Sequence, residues 1–253
     1  MNHSELKKRQ ELQLKMLVEF DIFCKSHGLR YYMAYGTLLG AVRHKGFIPW
    51  DYDIDTAMTR AEYSKFKSMQ HLLPEHLAIV EEYYSDIEHA GLARLVYRDK
   101  SLSGICIDIF ILDYVRESWY SGTITNTMCA LLHFAKLSKL EKSILINHFK
   151  GQPLKQAVIQ LSKVVRILIG GSASAEKLIY KLRVSKVPTE YYFTLEDSLK
   201  FPVKFFEAPE LLEFDGHMFY APSNVDELLT IIYGDYMQIP PEGHLWLKEE
   251  SLE

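Results

Sequence analysis

Residues 36–58 read GTLLGAVRHKGFIPWDYDIDTAM, and their texture changes midway. TLLGAVRHKG has the apolar spacing and basic end of a short helix, with Thr37 as its expected cap. After the turn at Pro49 and Trp50, DYDIDTAM alternates acidic and other side chains at period two, which predicts a strand. Residues two apart on a strand share a face, so Asp51, Asp53 and Asp55 are expected to line up. Ionised carboxylates placed together raise one another's pKa, a cost a structural sheet face has no reason to accept. A divalent cation removes that cost, and Mg²⁺ favours a few carboxylates plus phosphate oxygens and water. The competing reading is an acidic turn on the surface.

Upstream, LRYYMAYG reads as a short strand ending at Gly36. A glycine there lets a phosphate approach the backbone, and the following helix start offers free N–H donors and a favourable dipole. Arg43 and Lys45 stand at the far end of that helix, where an arginine suits a two-pronged phosphate contact. The alternative is a capped helix with a solvated basic end. Downstream, Asp108 interrupts ICIDIFILDYV, residues 105–115, a run that otherwise reads as a buried strand. A lone buried carboxylate is costly unless paired or metal-bound. If that strand lies beside the acidic one, Asp53, Asp55 and Asp108 converge and could hold two cations roughly 3.5–4 Å apart. Otherwise Asp108 ends an edge strand or pairs with an arginine such as Arg94 or Arg98.

The remaining elements follow from periodicity. Residues 4–27 read as an opening helix, with Leu12, Met16, Phe20 and Phe23 on one face and Gly28 past its end. Thr59 and Glu62 have capping-box spacing before a helix carrying Tyr63, Phe66 and Met69. LAIVEEYY and LARLVYR read as strands. A helical region is expected over 121–184, then a proline-punctuated tail with a helix over 223–233 ending at Gly234. The order implies an α+β fold, a small mixed sheet flanked by helices plus a helical subdomain. The expected division is a catalytic core over 1–120, a helical subdomain over 121–186 and a C-terminal segment over 187–253 that packs back near the site.

Hydrophobic residues make up 48% of the 253, enough for a sizeable core. Twenty-nine Lys and Arg against thirty-three Asp and Glu leave a formal net charge of -4. Gripping nucleic acid normally needs a basic surface, so no nucleic-acid partner is expected. Cys24, Cys106 and Cys129 show no CxxC spacing, which argues against a disulfide framework or zinc knuckle and fits a reducing, cytoplasmic setting. The polar start MNHSELKKRQELQLK is no secretory signal, and no apolar run reaches about 18 residues. Lys136, Lys139, Lys142, Lys163 and Arg166 interleave with apolar faces between 128 and 169. That pattern fits a packed helical subdomain, or else peripheral contact with a membrane surface.

A glycine–threonine turn, an hDhD pair and a lone Asp in an apolar strand, in that order, resemble the polymerase-β-like nucleotidyltransferase superfamily. Within it, residues 36–55 closely resemble the hallmark of the LicD family of phosphorylcholine and related transferases. IDIFILD at 107–113 and YGDYMQIPP at 233–241 match further segments. The family usually has Asp where this chain has Tyr52, and Pro where it has Ile111. The resemblance implies metal-dependent transfer of a phosphorylated alcohol from a CDP-activated donor to a glycan hydroxyl, with CMP leaving. It assigns Asp53 and Asp55 to Mg²⁺ (or Mn²⁺), and Asp108 to a second metal or to the base role. Asp51 is expected to order water or a cation nearby. Gly36, Thr37 and Arg43 are expected on the donor phosphate. Trp50, His44 and Tyr52 shape the pocket or simply pack. Asp235 and Tyr236 belong either to a turn that closes over substrate or to a structural connection, and His244 has no assignable role. The rival activity is a nucleotidyltransferase that attaches a nucleotide to a small molecule, a protein or RNA.

Overall fold

The computed structural model describes residues 2–81, 92–116, 170–194 and 199–239, together with positions 132, 164–165 and 167–168. Most of the helical region expected over 121–184, Cys129, and the tail from 240, with His244, lie outside the described residues. The chain divides into two compact units. The first comprises Met1–Val80, Ala93–Leu112 and Phe201–Glu253, and the second Glu81–Leu92 and Asp113–Lys200.

The first unit opens with α1 (His3–Ser26), close to the predicted helix. Asn2 and Glu5 cap it reciprocally, satisfying two N–H groups that a helix start leaves unbonded. Its buried face carries Met16, Leu17, Phe20 and Phe23. Phe20 meets Phe66 edge-on at 5.4 Å, and Phe66 lies on α3 (Arg60–Ser68), which Thr59 caps through the amide of Glu62. Edge-to-face rings place positive edge against negative face, which adds to the area they bury.

Five strands lie side by side along the main path of the sheet, in the order β1 (Tyr32–Met33), β2 (Ile54–Thr59), β5 (Cys106–Tyr114), β4 (Ala93–Tyr97), β3 (Leu77–Val80). β2 and β5 are parallel and the other pairs antiparallel, so the sheet is mixed and flanked by helices as expected. Two central registers position the chemistry: Asp55 stands opposite Asp108, and Asp108 opposite Arg94. Side chains paired across neighbouring strands share a face. Asp55, Asp108 and Arg94 therefore form one row across three strands.

Two local expectations are corrected. DYDIDTAM is a strand only from Ile54 onward, so Asp51 and Asp53 precede β2 instead of alternating along it. Thr37 is not a cap either: α2 runs Tyr35–His44 with Ala34 at its N-cap, and Thr37 is buried inside the helix. The tertiary demand on its hydroxyl, described below, outweighs the local capping preference.

In the tail, the short β7 (Phe201–Pro202) is followed by β8 (Glu210–Phe214) and β9 (His217–Ala221), which form a hairpin that the sequence reading missed. Asp215 and Gly216 make its turn with positive φ at both positions, as a two-residue hairpin turn requires. Val225–Tyr233, here α5, matches the predicted helix and ends at Gly234, whose φ of 68° suits glycine. In the second unit, α4 (Ser172–Arg183) buries Ala175 and Ile179 with Leu132. β6 (Tyr191–Phe193) pairs with the last two residues of β5, where Val115, Val184 and Phe193 form a small core.

Candidate active site

Asp53, Asp55 and Asp108 each offer a carboxylate oxygen, and the three atoms lie within 4.8 Å of one another. Asp55 and Asp108 are buried, at 8% and 1% exposure, and Asp53 is intermediate. The expected convergence is present, although strand alternation is not what produces it. Asp55 and Asp108 meet through the parallel β2–β5 register, and the turn before β2 brings Asp53 in.

That turn is held from α1. Gln10 donates its side-chain amide to the Asp51 carbonyl at 2.7 Å, and Arg9 donates to the Tyr52 carbonyl. Arg9 also lies over the Tyr52 ring, 5.2 Å from its centre. Tyr52 is 40% exposed, so the side chain that replaces the usual Asp supports a cation–π contact at the rim. Nothing in the sequence of the acidic stretch pointed to α1 as its anchor.

The helix α2 braces Asp55 from the other side. The Gly36 amide donates to Asp55 Oδ2 at 3.1 Å, and the Asp55 amide donates to the Thr37 hydroxyl at 2.8 Å. A side chain at Gly36 would place its Cβ 2.7 Å from Asp51 Oδ2, far inside van der Waals contact. Any larger residue there would have to displace the Asp51 carboxylate, so the glycine leaves room for it. Tyr35, immediately before it, holds a positive φ of 39°, costly for a bulky residue, and its ring packs on Phe110 at 4.4 Å.

Burial and mutual repulsion dominate the electrostatics. Burial first, then the charges of Asp53, Asp108 and Asp51, push the Asp55 carboxyl well above the usual range. Burial, the Asp53 charge and a hydrogen bond with Asp53 push Asp51 up to about 8. Asp108 is treated differently. Arg94 Nε donates to its Oδ1 at 2.5 Å and Nη2 to its Oδ2 at 3.3 Å, both residues being buried. The arginine pairing considered for Asp108 is therefore real, and it coexists with the convergence. Each carboxylate oxygen has two lone pairs, so an arginine-bound Asp108 can still offer one to a cation. Arg98, the other candidate, donates instead to the Leu77 carbonyl at 3.0 Å.

The residues present suit a hard divalent cation. All the converging donors are carboxylate oxygens, and a positive ion would relieve the repulsion that lifts Asp55 and Asp51.

Arg43 lies at the opposite end of α2 from Gly36. Its Nη1 donates to the carbonyls of Tyr236 and Gln238 at 3.1 and 3.4 Å. His44 meets Trp50 edge-on at 6.4 Å, a packing contact at the same helix end. Asp235 accepts from the Gln238 side chain, and the Tyr236 hydroxyl donates to Asp226 at 2.6 Å, so both stabilise the turn after α5. The residue that sequence reasoning missed is Tyr233. Burial first, then the charges of Asp55, Asp51 and Asp53, push the pKa of its hydroxyl well above the usual value. Its place in the YGDYMQIPP match was the available signal.

Among the described residues, no helix is long and apolar enough to cross a membrane. Comparison with known proteins adds three findings. The model of the LicD/FKTN/FKRP nucleotidyltransferase domain matches residues 28–142. The lipopolysaccharide cholinephosphotransferase LicD of Haemophilus influenzae is 27% identical over 279 aligned positions, covering 96% of this chain and 95% of that one. The ribitol 5-phosphate transferase FKRP of mouse and of human is 61% identical over 28 residues, which is 11% of this chain and 6% of FKRP. The family domain takes in α2, the acidic turn, β2 and β5, the elements that build the carboxylate cluster. Residues 28–142 thus match the LicD/FKTN/FKRP nucleotidyltransferase domain, and nearly the whole chain is similar to the Haemophilus cholinephosphotransferase.

Proposed function

We propose that this protein transfers a phosphorylated alcohol, phosphocholine or a related phospho-polyol, from a CDP-activated donor to a sugar hydroxyl of a cell-surface glycan, releasing CMP. The observation that carries the reading is the convergence of Asp53, Asp55 and Asp108 inside a family whose relatives include a cholinephosphotransferase and a ribitol 5-phosphate transferase. We read the sheet and its helices as a polymerase-β-like nucleotidyltransferase core.

In the reaction, the acceptor oxygen attacks the phosphorus that bears the alcohol. The P–O bond to CMP breaks, and the acceptor proton passes to a base or to water. Asp53, Asp55 and Asp108 would hold Mg²⁺ or Mn²⁺, which when bound offsets the negative charge of the diphosphate. Arg94 fixes the orientation of Asp108 through two hydrogen bonds. Gly36 and Thr37 hold Asp55 at both its carboxylate and its backbone, so their contribution comes through that residue. Asp51 packs against Gly36 and hydrogen-bonds Asp53, closing the acidic side of the site.

The test is a panel of CDP-choline, CDP-glycerol and CDP-ribitol, each with Mg²⁺ or Mn²⁺, followed by CMP release and by phospho-alcohol appearing on lipopolysaccharide or another glycan. CMP release that depends on both donor and cation is expected. Consumption of ATP or CTP alone, with pyrophosphate released, would replace this reading with nucleotide transfer.

A further inference from the structure

The helix α1 lies before the matched domain, which begins at residue 28, yet it holds both chain segments that carry the acids. Gln10 donates its side-chain amide to the Asp51 carbonyl at 2.7 Å, and Arg9 donates to the Tyr52 carbonyl, which fixes the turn leading into Asp53. One turn of helix further on, Gln13 Nε2 donates to the Cys106 carbonyl at 3.3 Å, at the first residue of β5 and two residues before Asp108. Residues three and four apart on a helix share a side, so Arg9, Gln10 and Gln13 form one polar row. About 4.5 Å of helical rise separates Gln10 from Gln13, close to the roughly 4.8 Å between neighbouring strands. β2 and β5 are such neighbours, and each acidic segment has its own glutamine.

Gln13 shows that the row is more than packing. It is fully buried on the face that also buries Leu6, Met16, Leu17 and Phe20, and its Oε1 has no hydrogen-bond partner among the described residues. A buried amide oxygen left unbonded costs stability, and Leu or Met would fill the same place without that cost. The hydrogen bond that its amide makes accounts for the glutamine, because it ties the start of β5 to the helix that holds the acidic turn. Such a tie has work to do. Asp53 lies beyond the β2–β5 ladder, whose register begins at Ile54, and repulsion between the ionised acids pushes their segments apart. A cation shared by Asp53 and Asp108 needs their oxygens kept close, here within 4.8 Å.

We propose that Gln10 and Gln13 are positioning residues for the carboxylate cluster, holding Asp53 and Asp108 at the separation a divalent cation takes. The proposal rests on the reading of that cluster as a cation site, and it makes the opening helix part of the active site.

The experiment uses the full chain, with Mn²⁺ affinity followed by calorimetry and metal-free melting by circular dichroism. Wild type is expected to bind Mn²⁺ and Asp55→Asn to lose that binding, which tests the cation site independently of α1. Gln13→Met keeps the side-chain volume and removes both the donor and the unbonded oxygen. It should melt within about 4 °C of wild type and bind Mn²⁺ about tenfold more weakly. Gln10→Met should weaken Mn²⁺ by about threefold, since Arg9 still holds the Tyr52 carbonyl, and the double variant by more than either. Unchanged Mn²⁺ affinity in either single variant overturns the proposal, and so does a loss that appears only with a matching fall in melting temperature. If Gln13→Met does not fold, Gln10→Met decides by the same criteria. A wild type that does not bind Mn²⁺, or an Asp55→Asn that binds it equally well, overturns the cation reading and this proposal with it. Binding that needs Asp55 but ignores both glutamines overturns the proposal alone.

Discussion

Asp21 and Asp55 are equally buried, at 8% exposure each, in the same compact unit, but their neighbours differ in kind. Asp21, on α1, receives the Lys25 ammonium at 2.8 Å and the Tyr31 hydroxyl at 2.7 Å. One cation and one neutral donor account for a single carboxylate, which is what burying a charge ordinarily demands. Asp55 receives the amide of Gly36 and then faces Asp53, Asp108 and Asp51. Asp108 stands between these cases, bonded to Arg94 yet turned into the cluster. Burial by itself therefore does not mark a functional carboxylate. The balance of charge around it does, and at Asp55 that balance favours a cation.

The largest expected effect separates the two sites outright. Asp55→Asn or Asp53→Asn should lower CMP release by three orders of magnitude or more, with the folded state retained by circular dichroism and thermal melting. Activity within a few-fold of wild type would make the cluster as structural as Asp21.

Arg94→Ala probes the intermediate case. It leaves Asp108 buried beside other carboxylates without its arginine, and urea unfolding should show a loss of about 3–5 kcal/mol. A small loss would mean that Asp108 does not need the pairing.

Next comes Asp21→Asn, which removes a charge but keeps a hydrogen-bonding group. It should destabilise the chain by about 1–3 kcal/mol in the same unfolding assay and leave turnover within twofold. A matching fall in turnover would erase the contrast.

The smallest effect is a pH slope. Without a divalent cation, native Asp51 and Asp55 hold protons that the unfolded chain releases above about pH 4. Their contribution to stability is complete below that pH and is lost as pH rises through the native values, which for Asp51 lies at about 8. The melting temperature of the chelated protein should therefore fall between pH 5 and 8, and added Mn²⁺ should flatten the fall. A slope that is the same with and without the cation would remove the carboxylates from the explanation.

Much of the site was legible because its signals are local. Acidic residues before and within a strand, an Asp inside an apolar run and a glycine at a helix start can each be read from a few neighbouring letters. The same locality misled at Thr37, where a hydroxyl near a helix start reads as a cap. Its actual partner is the Asp55 amide, eighteen residues away. It misled again at Asp51 and Asp53, since period-two lettering continues before β2 whether or not the backbone is a strand. The β8–β9 hairpin escaped because its turn, Asp215-Gly216, sat in a tail already crowded with proline signals.

By itself the sequence determined the helix α1, the apolar strand β5, the end of α5 at Gly234 and the identity of the converging acids. Periodicity and turn chemistry act over a few residues, so these are written locally. Only the tertiary structure decided that β2 and β5 run parallel with Asp55 opposite Asp108. It also selected Arg94 over Arg98 as the partner of Asp108, and brought the carbonyls of Tyr236 and Gln238 to Arg43, well over a hundred residues earlier. Strand register and the docking of a distant helix are set by which buried surfaces fit together. That information is spread over the whole chain, and no short stretch of it carries the answer.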